Sequence, residues 1–117
     1  MKNIDYLPLG TICNIEKKPN SNIMIIGYSM NIGEEHYDYC GVVHPIGVIS
    51  RINMLFFNHD DIEKIIFEGF KDEEYEESKK LLNIISEKLS NEKDSLNDDK
   101  LKKTVLELWE DKKNGKI

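Results

Sequence analysis

The sequence predicts an α+β fold: a small curved antiparallel sheet or partial barrel of about five strands, followed by a pair of C-terminal α-helices. Two observations carry this. Up to about Phe70 the apolar residues come in short runs with period-two character, rich in Ile, Val, Tyr and Phe and punctuated by Gly, Pro and Asn, the pattern of strands and turns. From Lys71 the spacing changes to three and four, the period of an amphipathic helix. At 117 residues, 39% of them hydrophobic, the chain suffices for one modest core. Residues 1–70 and 71–117 are therefore expected to form one domain, a β portion with a two-helix extension and a possible hinge at 90–99.

The first strand is predicted over Leu9 to Glu16, entered through Pro8, which lacks a donor and suits a strand entry. The polar stretch Lys17 to Asn22 reads as a turn, returning the chain into Ile23-Met24-Ile25-Ile26, an apolar run suited to a strand covered on both faces. Gly27 marks a bulge or tight bend. After a turn at Asn31 to Glu35, a third strand covers His36 to His44 with Tyr37 and Tyr39 on an aromatic face, and Pro45-Ile46-Gly47 ends it. Val48 to Arg51 is a loop or short crossing. A fourth strand spans about Asn53 to Phe57, Asn58-His59-Asp60-Asp61 forms a capped turn, and a short fifth strand runs from Lys64 to Phe67. The first helix carries Tyr75, Ser78, Leu82, Ile85 and Leu89 on one stripe and is capped by Asp72, with glutamates over its first turn where the dipole favours them. The second, capped near Asn97 or Asp98, lines up Leu101, Val105 and Leu108, broadened by Leu106 and Trp109, and stops at Asn114-Gly115.

Charge narrows the function classes. The formal net charge is -6, from 16 basic against 22 acidic residues, so phosphate is repelled and no nucleic-acid partner is expected. No apolar run is long enough to span a bilayer and the start lacks a signal-peptide core, so the expected location is cytoplasmic, with no membrane partner.

No constellation assembles an active site. Cys13 and Cys40 stand alone in strand-like runs, the usual setting of small core hydrophobes in a cytosolic chain, although neighbouring strands would allow a bridge on oxidation. Of His36, His44 and His59, none has metal-ligand spacing, and His59-Asp60-Asp61 is a capped turn in which His59 is expected to pack on Phe57. Glycine-rich phosphate loops and nucleophile elbows are missing. The run Asp72 to Glu77 suits a solvated helix start, or an acidic surface that steers a basic partner. Catalytic residues, metal ligands and cofactors are accordingly predicted to be none. Trp109 either docks its helix on the sheet or anchors another chain.

Tyr6-Leu7-Pro8-Leu9-Gly10-Thr11, Ile23-Met24-Ile25-Ile26-Gly27, the run Tyr37 to Gly47, Phe56-Phe57-Asn58-His59-Asp60-Asp61-Ile62 and Ile66-Phe67-Glu68-Gly69-Phe70 occur in an order and spacing that resembles the domain of unknown function 4176 family, over about residues 6–74. His44 and Ile46 depart from the pattern, where an aromatic and an acid are expected. The resemblance implies a small cytosolic protein of Gram-positive bacteria encoded beside type VII secretion loci and LXG-type toxins. It brings no catalytic residues. A non-enzymatic accessory factor or chaperone binding a secreted toxin or secretion component is therefore expected, with an immunity protein as the alternative and an uncharacterised enzyme as a distant third. Tyr37, Tyr39, Trp109, Leu82, Ile85 and Leu89 are the candidate partner-binding residues, and a homodimer through the C-terminal helices is a further expectation.

Overall fold

A computed structural model describes residues 4–92 and 98–115 of the chain. Five antiparallel strands, β1 (Ile12–Ile15), β2 (Lys18–Ile32), β3 (Glu35–Val43), β4 (Leu55–Phe57) and β5 (Ile62–Phe67), precede α1 (Glu73–Glu92) and α2 (Asp98–Lys113). The fold is α+β, with the helices at the C-terminal end. The strands lie in the order β4-β3-β2-β1-β5, so the two edges of the sheet are consecutive in the chain. Only residues 58–61, containing the 3-10 turn His59–Asp61, join them. A flat sheet of this size separates its edges by roughly 19 Å at about 4.8 Å per strand. From Phe57 to Ile62 a chain that includes a 3-10 turn covers only about 13 Å. The sheet must curl. The Glu16 N–H donates to the Asp61 carbonyl at 3.0 Å, and the Lys17 ammonium donates to the Phe56 carbonyl, which ties the β1–β2 turn to both ends of the link.

The strands depart from expectation in length. β1 starts only at Ile12 because Gly10, at φ +87°, turns the chain, with its N–H on the Ile25 carbonyl at 2.9 Å. β2 is one 15-residue strand. Its polar beginning, predicted as a turn, extends because Lys18 still pairs with Ile15. A register shift against β3 between Ile25 and Gly27 bends it at the predicted place. Inside the curl, Tyr6, Cys13, Ile15, Ile23, Ile25, Tyr39 and Phe57 are fully buried. β3 leaves no room for a side chain at Gly41, where a Cβ would stand 2.6 Å from Ile23 Cγ2 and 3.0 Å from Phe57 Cε1.

Asp72 caps α1 as expected, its Oδ1 accepting the Tyr75 N–H at 2.8 Å. The helix then clamps the N-terminal segment. The Asn83 amide meets Ile4 in both directions, Oδ1 accepting from Ile4 N–H at 2.8 Å and Nδ2 donating to Ile4 carbonyl at 3.0 Å, while the Tyr75 hydroxyl donates to the Tyr6 carbonyl at 2.6 Å. Lys79 bridges Asp5 at 2.8 Å and Glu76 at 3.0 Å. The hydrogen bond from Lys79 holds the Asp5 carboxyl below its usual range, but Asp5 is largely exposed and the pair adds little stability. Helix α2 docks through Val105, Leu108 and Trp109 on Leu81 and Ile85 of α1. Trp109 thus packs its helix against α1. Of the residues 90–99 expected as a hinge, 90–92 belong to α1 and 98–99 to α2, and residues 93–97, Asn97 with them, lie outside the described residues.

Gly41→Ala is expected to cost about 1–3 kcal/mol in chemical denaturation. Gly27→Ala, whose Cβ would meet Cys40 Cβ at an ordinary 3.6 Å, is expected to cost clearly less. Equal costs for the two would contradict this account of the packing.

Candidate functional site

An apolar groove of about 480 Å³ opens where the N-terminal turn, the strand-to-helix connection and both helices meet. Buried Leu81 and Ile85, with Leu82 and Tyr28, form its floor, and Val105 and Trp109 flank it from α2. Its outer rim is Leu9 and Phe70, 55% and 80% exposed. Local backbone places both residues there. Gly69 packs so closely on the Leu9 carbonyl that any side chain would overlap it, and the Gly69 N–H donates to buried Thr11 Oγ1 at 3.0 Å, which holds the two apolar side chains side by side facing out. Asp72, the cap of α1, and Glu74 in its acidic first turn stand at the lip. Lys113 reaches Glu74 at 3.5 Å and lies over the Trp109 ring at 5.4 Å, strapping α2 to the start of α1. The groove's polar groups are largely committed to the fold: Asp72 to the helix cap and Tyr75 to Tyr6. What remains is apolar surface under an acidic lip, which suits apolar side chains of a partner, each worth about 1.5–3 kcal/mol when fully buried.

The predicted site residues divide. Trp109, Leu82 and Ile85 converge on the groove, and Leu89 lies in a stretch whose side chains are outside the described residues. Ile85 is buried by α2, so this part of the helical stripe is already covered within one chain. Tyr39 is a correction. It was expected on a partner-binding aromatic face, but it has no exposed surface, because the curl turns that face inward against Tyr6, Tyr28 and Phe57. Tyr37 is half-buried beside Phe56, with the Lys17 ammonium 5.7 Å from its ring centroid. Leu9 and Phe70 escaped the sequence reading, since nothing in an isolated apolar residue beside a glycine distinguishes rim from core.

The other cluster with chemical potential centres on Tyr39 and His59. The Tyr39 hydroxyl accepts the Leu7 N–H at 3.1 Å and shares a hydrogen bond of 2.7 Å with His59 Nδ1. His59 stacks on Tyr39 at 5.8 Å between ring centroids, and not on Phe57 as expected, because Phe57 occupies the interior on the other side of Tyr39. Asp61 Oδ2 accepts the Asn58 N–H at 2.8 Å and Asp38 Oδ2 accepts the His59 N–H at 3.0 Å, so both carboxylates hold the turn. Burial pushes the Tyr39 hydroxyl far above its ordinary range, so it remains a neutral hydrogen-bonding strut. Among the described residues no group of three or more His, Cys, Asp or Glu is placed to hold a metal ion. Cys13 and Cys40 are free, buried and separated by β2; burial pushes the Cys13 thiol up to about 11 and raises that of Cys40.

A family model described as Domain of unknown function (DUF4176) matches residues 6–79. No curated protein and no solved structure matches the chain.

Tyr39→Phe is expected to cost about 1–3 kcal/mol, since it strands the Leu7 N–H without an acceptor, and a neutral result in urea denaturation would contradict the strut. Both thiols should resist a thiol reagent at pH 8 in the native chain and react at once in denaturant; fast native labelling of Cys13 would refute its burial.

Proposed function

The chain belongs to the DUF4176 family, and we propose that it is a non-enzymatic protein-binding factor that holds an apolar segment of another polypeptide in the groove between Leu9, Phe70 and the two helices. The open groove is the observation that carries this reading: a small chain leaves Phe70 and Leu9 exposed beside Trp109 although its core needs apolar area. The acidic lip favours a partner segment with basic flanks. Among the described residues no helix is long and apolar enough to cross a membrane. On this reading the partner is a secreted toxin or secretion component met in the cytoplasm before export, the class that the family resemblance implies. The alternative is an immunity protein that covers a toxin's active site, a role that the net charge of -6 suits if the toxin is basic.

Copurification with the products of adjacent genes tests the reading. Phe70→Asp and Leu9→Asp, both at exposed positions, are expected to weaken toxin binding about tenfold or more without lowering Tm. Retained binding in both would remove the groove from the interface. An accessory factor binds the full-length toxin and is required for its export, whereas growth rescue by binding the toxic domain, with no export defect, selects the immunity role.

A further inference from the structure

The chain already seats one helix on α1, and the way it does so describes what the open side of the groove can hold. Val105, Leu108 and Trp109, at helical spacings of three and four, pack against Leu81 and Ile85. Lys113, one turn beyond Trp109, lies over the Trp109 ring at 5.4 Å and reaches Glu74 at 3.5 Å. α1 thus receives apolar side chains along its middle and a basic side chain at its acidic first turn, where Glu73, Glu74 and Glu76 follow Asp72. α2 leaves the rest of this surface open, from Trp109 across Leu82 and Tyr28 to Leu9 and Phe70.

That open part has no main-chain edge to pair with. Its floor and one wall are helical, and helical N–H and carbonyl groups bond within their own turns. The polar side chains of the floor are committed too. The hydroxyls of Tyr28 and Tyr75 donate to the carbonyls of Leu7 and Tyr6, both at 2.6 Å, and that of Ser78 to the Tyr75 carbonyl at 2.7 Å. An extended segment laid here buries its own N–H and carbonyl groups against apolar side chains with nothing to bond. A helix arrives with those groups already paired.

We propose that the segment held in the groove is an amphipathic α-helix of another polypeptide, apolar at spacings of three and four, with lysine or arginine at the end that meets Asp72 and Glu74. This rests on the groove being a protein-binding surface, as proposed above, and adds the conformation and charge of what it binds. The helices of a second copy of this chain do not answer the description. α1 is itself acidic in its first turn, and α2 already uses its apolar face within its own chain.

Trp109 is the only tryptophan and stands in the groove wall, so its fluorescence reports occupancy in the full chain. The probes are two peptides of about 18 residues with the same leucine and lysine content, one with leucine at the helical period and one with the two alternating as in a strand. The helical-period peptide is expected to shift Trp109 emission and to bind about tenfold or more tightly than the alternating one. Glutamate in place of its lysines should abolish the response, and Phe70→Asp should weaken binding about tenfold although it adds an acid. Equal or tighter binding of the alternating peptide, unchanged binding by Phe70→Asp, or no response to either peptide overturns the helix. Copurification separates that failure from failure of the underlying reading. A toxin lost from Phe70→Asp and Leu9→Asp keeps the groove as interface and removes only the helix, whereas a toxin retained by both removes the groove itself.

Discussion

The short link between β4 and β5 governs the molecule. Because the two edges of the open sheet are joined by residues 58–61, the strands must curl, and a side chain that a flat sheet would expose is forced inside. Tyr39 shows the consequence. Its ring packs among Tyr6, Tyr28 and Phe57, and its hydroxyl, now out of water, takes the Leu7 N–H and His59 as partners. An unpaired hydroxyl there would cost about 1–3 kcal/mol, so His59 and the N-terminal segment are part of how the curled sheet satisfies its buried polar groups.

From that requirement the helices follow. The segment around Ile4 to Pro8 has no strand to pair with, and its polar backbone is met by α1 through Asn83 and Tyr75. Once α1 lies on this segment, α2 has only the outer side of α1 to pack on, and the space between Trp109, Leu9 and Phe70 remains open. The groove follows from how the N-terminal segment is secured, with the close Gly69 contact on Leu9 setting its rim.

Much of the architecture was legible in the residues. Period two followed by period three to four marked the sheet and the helices, Gly27 announced the β2 bend, and Asn58 to Asp61 and Asp72 announced their caps, because each of these is local chemistry. What failed was long-range. Alternation placed Tyr37 and Tyr39 together on one face, but only the curl of the sheet decides which of them meets water, and the curl depends on partners far along the chain. The length of β2 was hidden for the same reason: a polar start such as Lys18 to Asn22 extends when a neighbouring strand supplies its hydrogen bonds. The helical half of the groove was visible in Leu82, Ile85 and Trp109, whereas Leu9 and Phe70 became a rim only through the contact between Gly69 and Leu9.

The clamp by Asn83 bears on where the folding unit ends. A primary amide that pairs with both the N–H and the carbonyl of Ile4 imitates a neighbouring strand for one residue, so the segment at Ile4 and the middle of the first helix close a loop that encloses all five strands. A fragment cut within the first turns of that helix would keep every strand and still lose the closure, along with Leu82 against the core. The chain therefore behaves as a circle fastened near its start and at Asn83, and the strands it encloses are not a separable module.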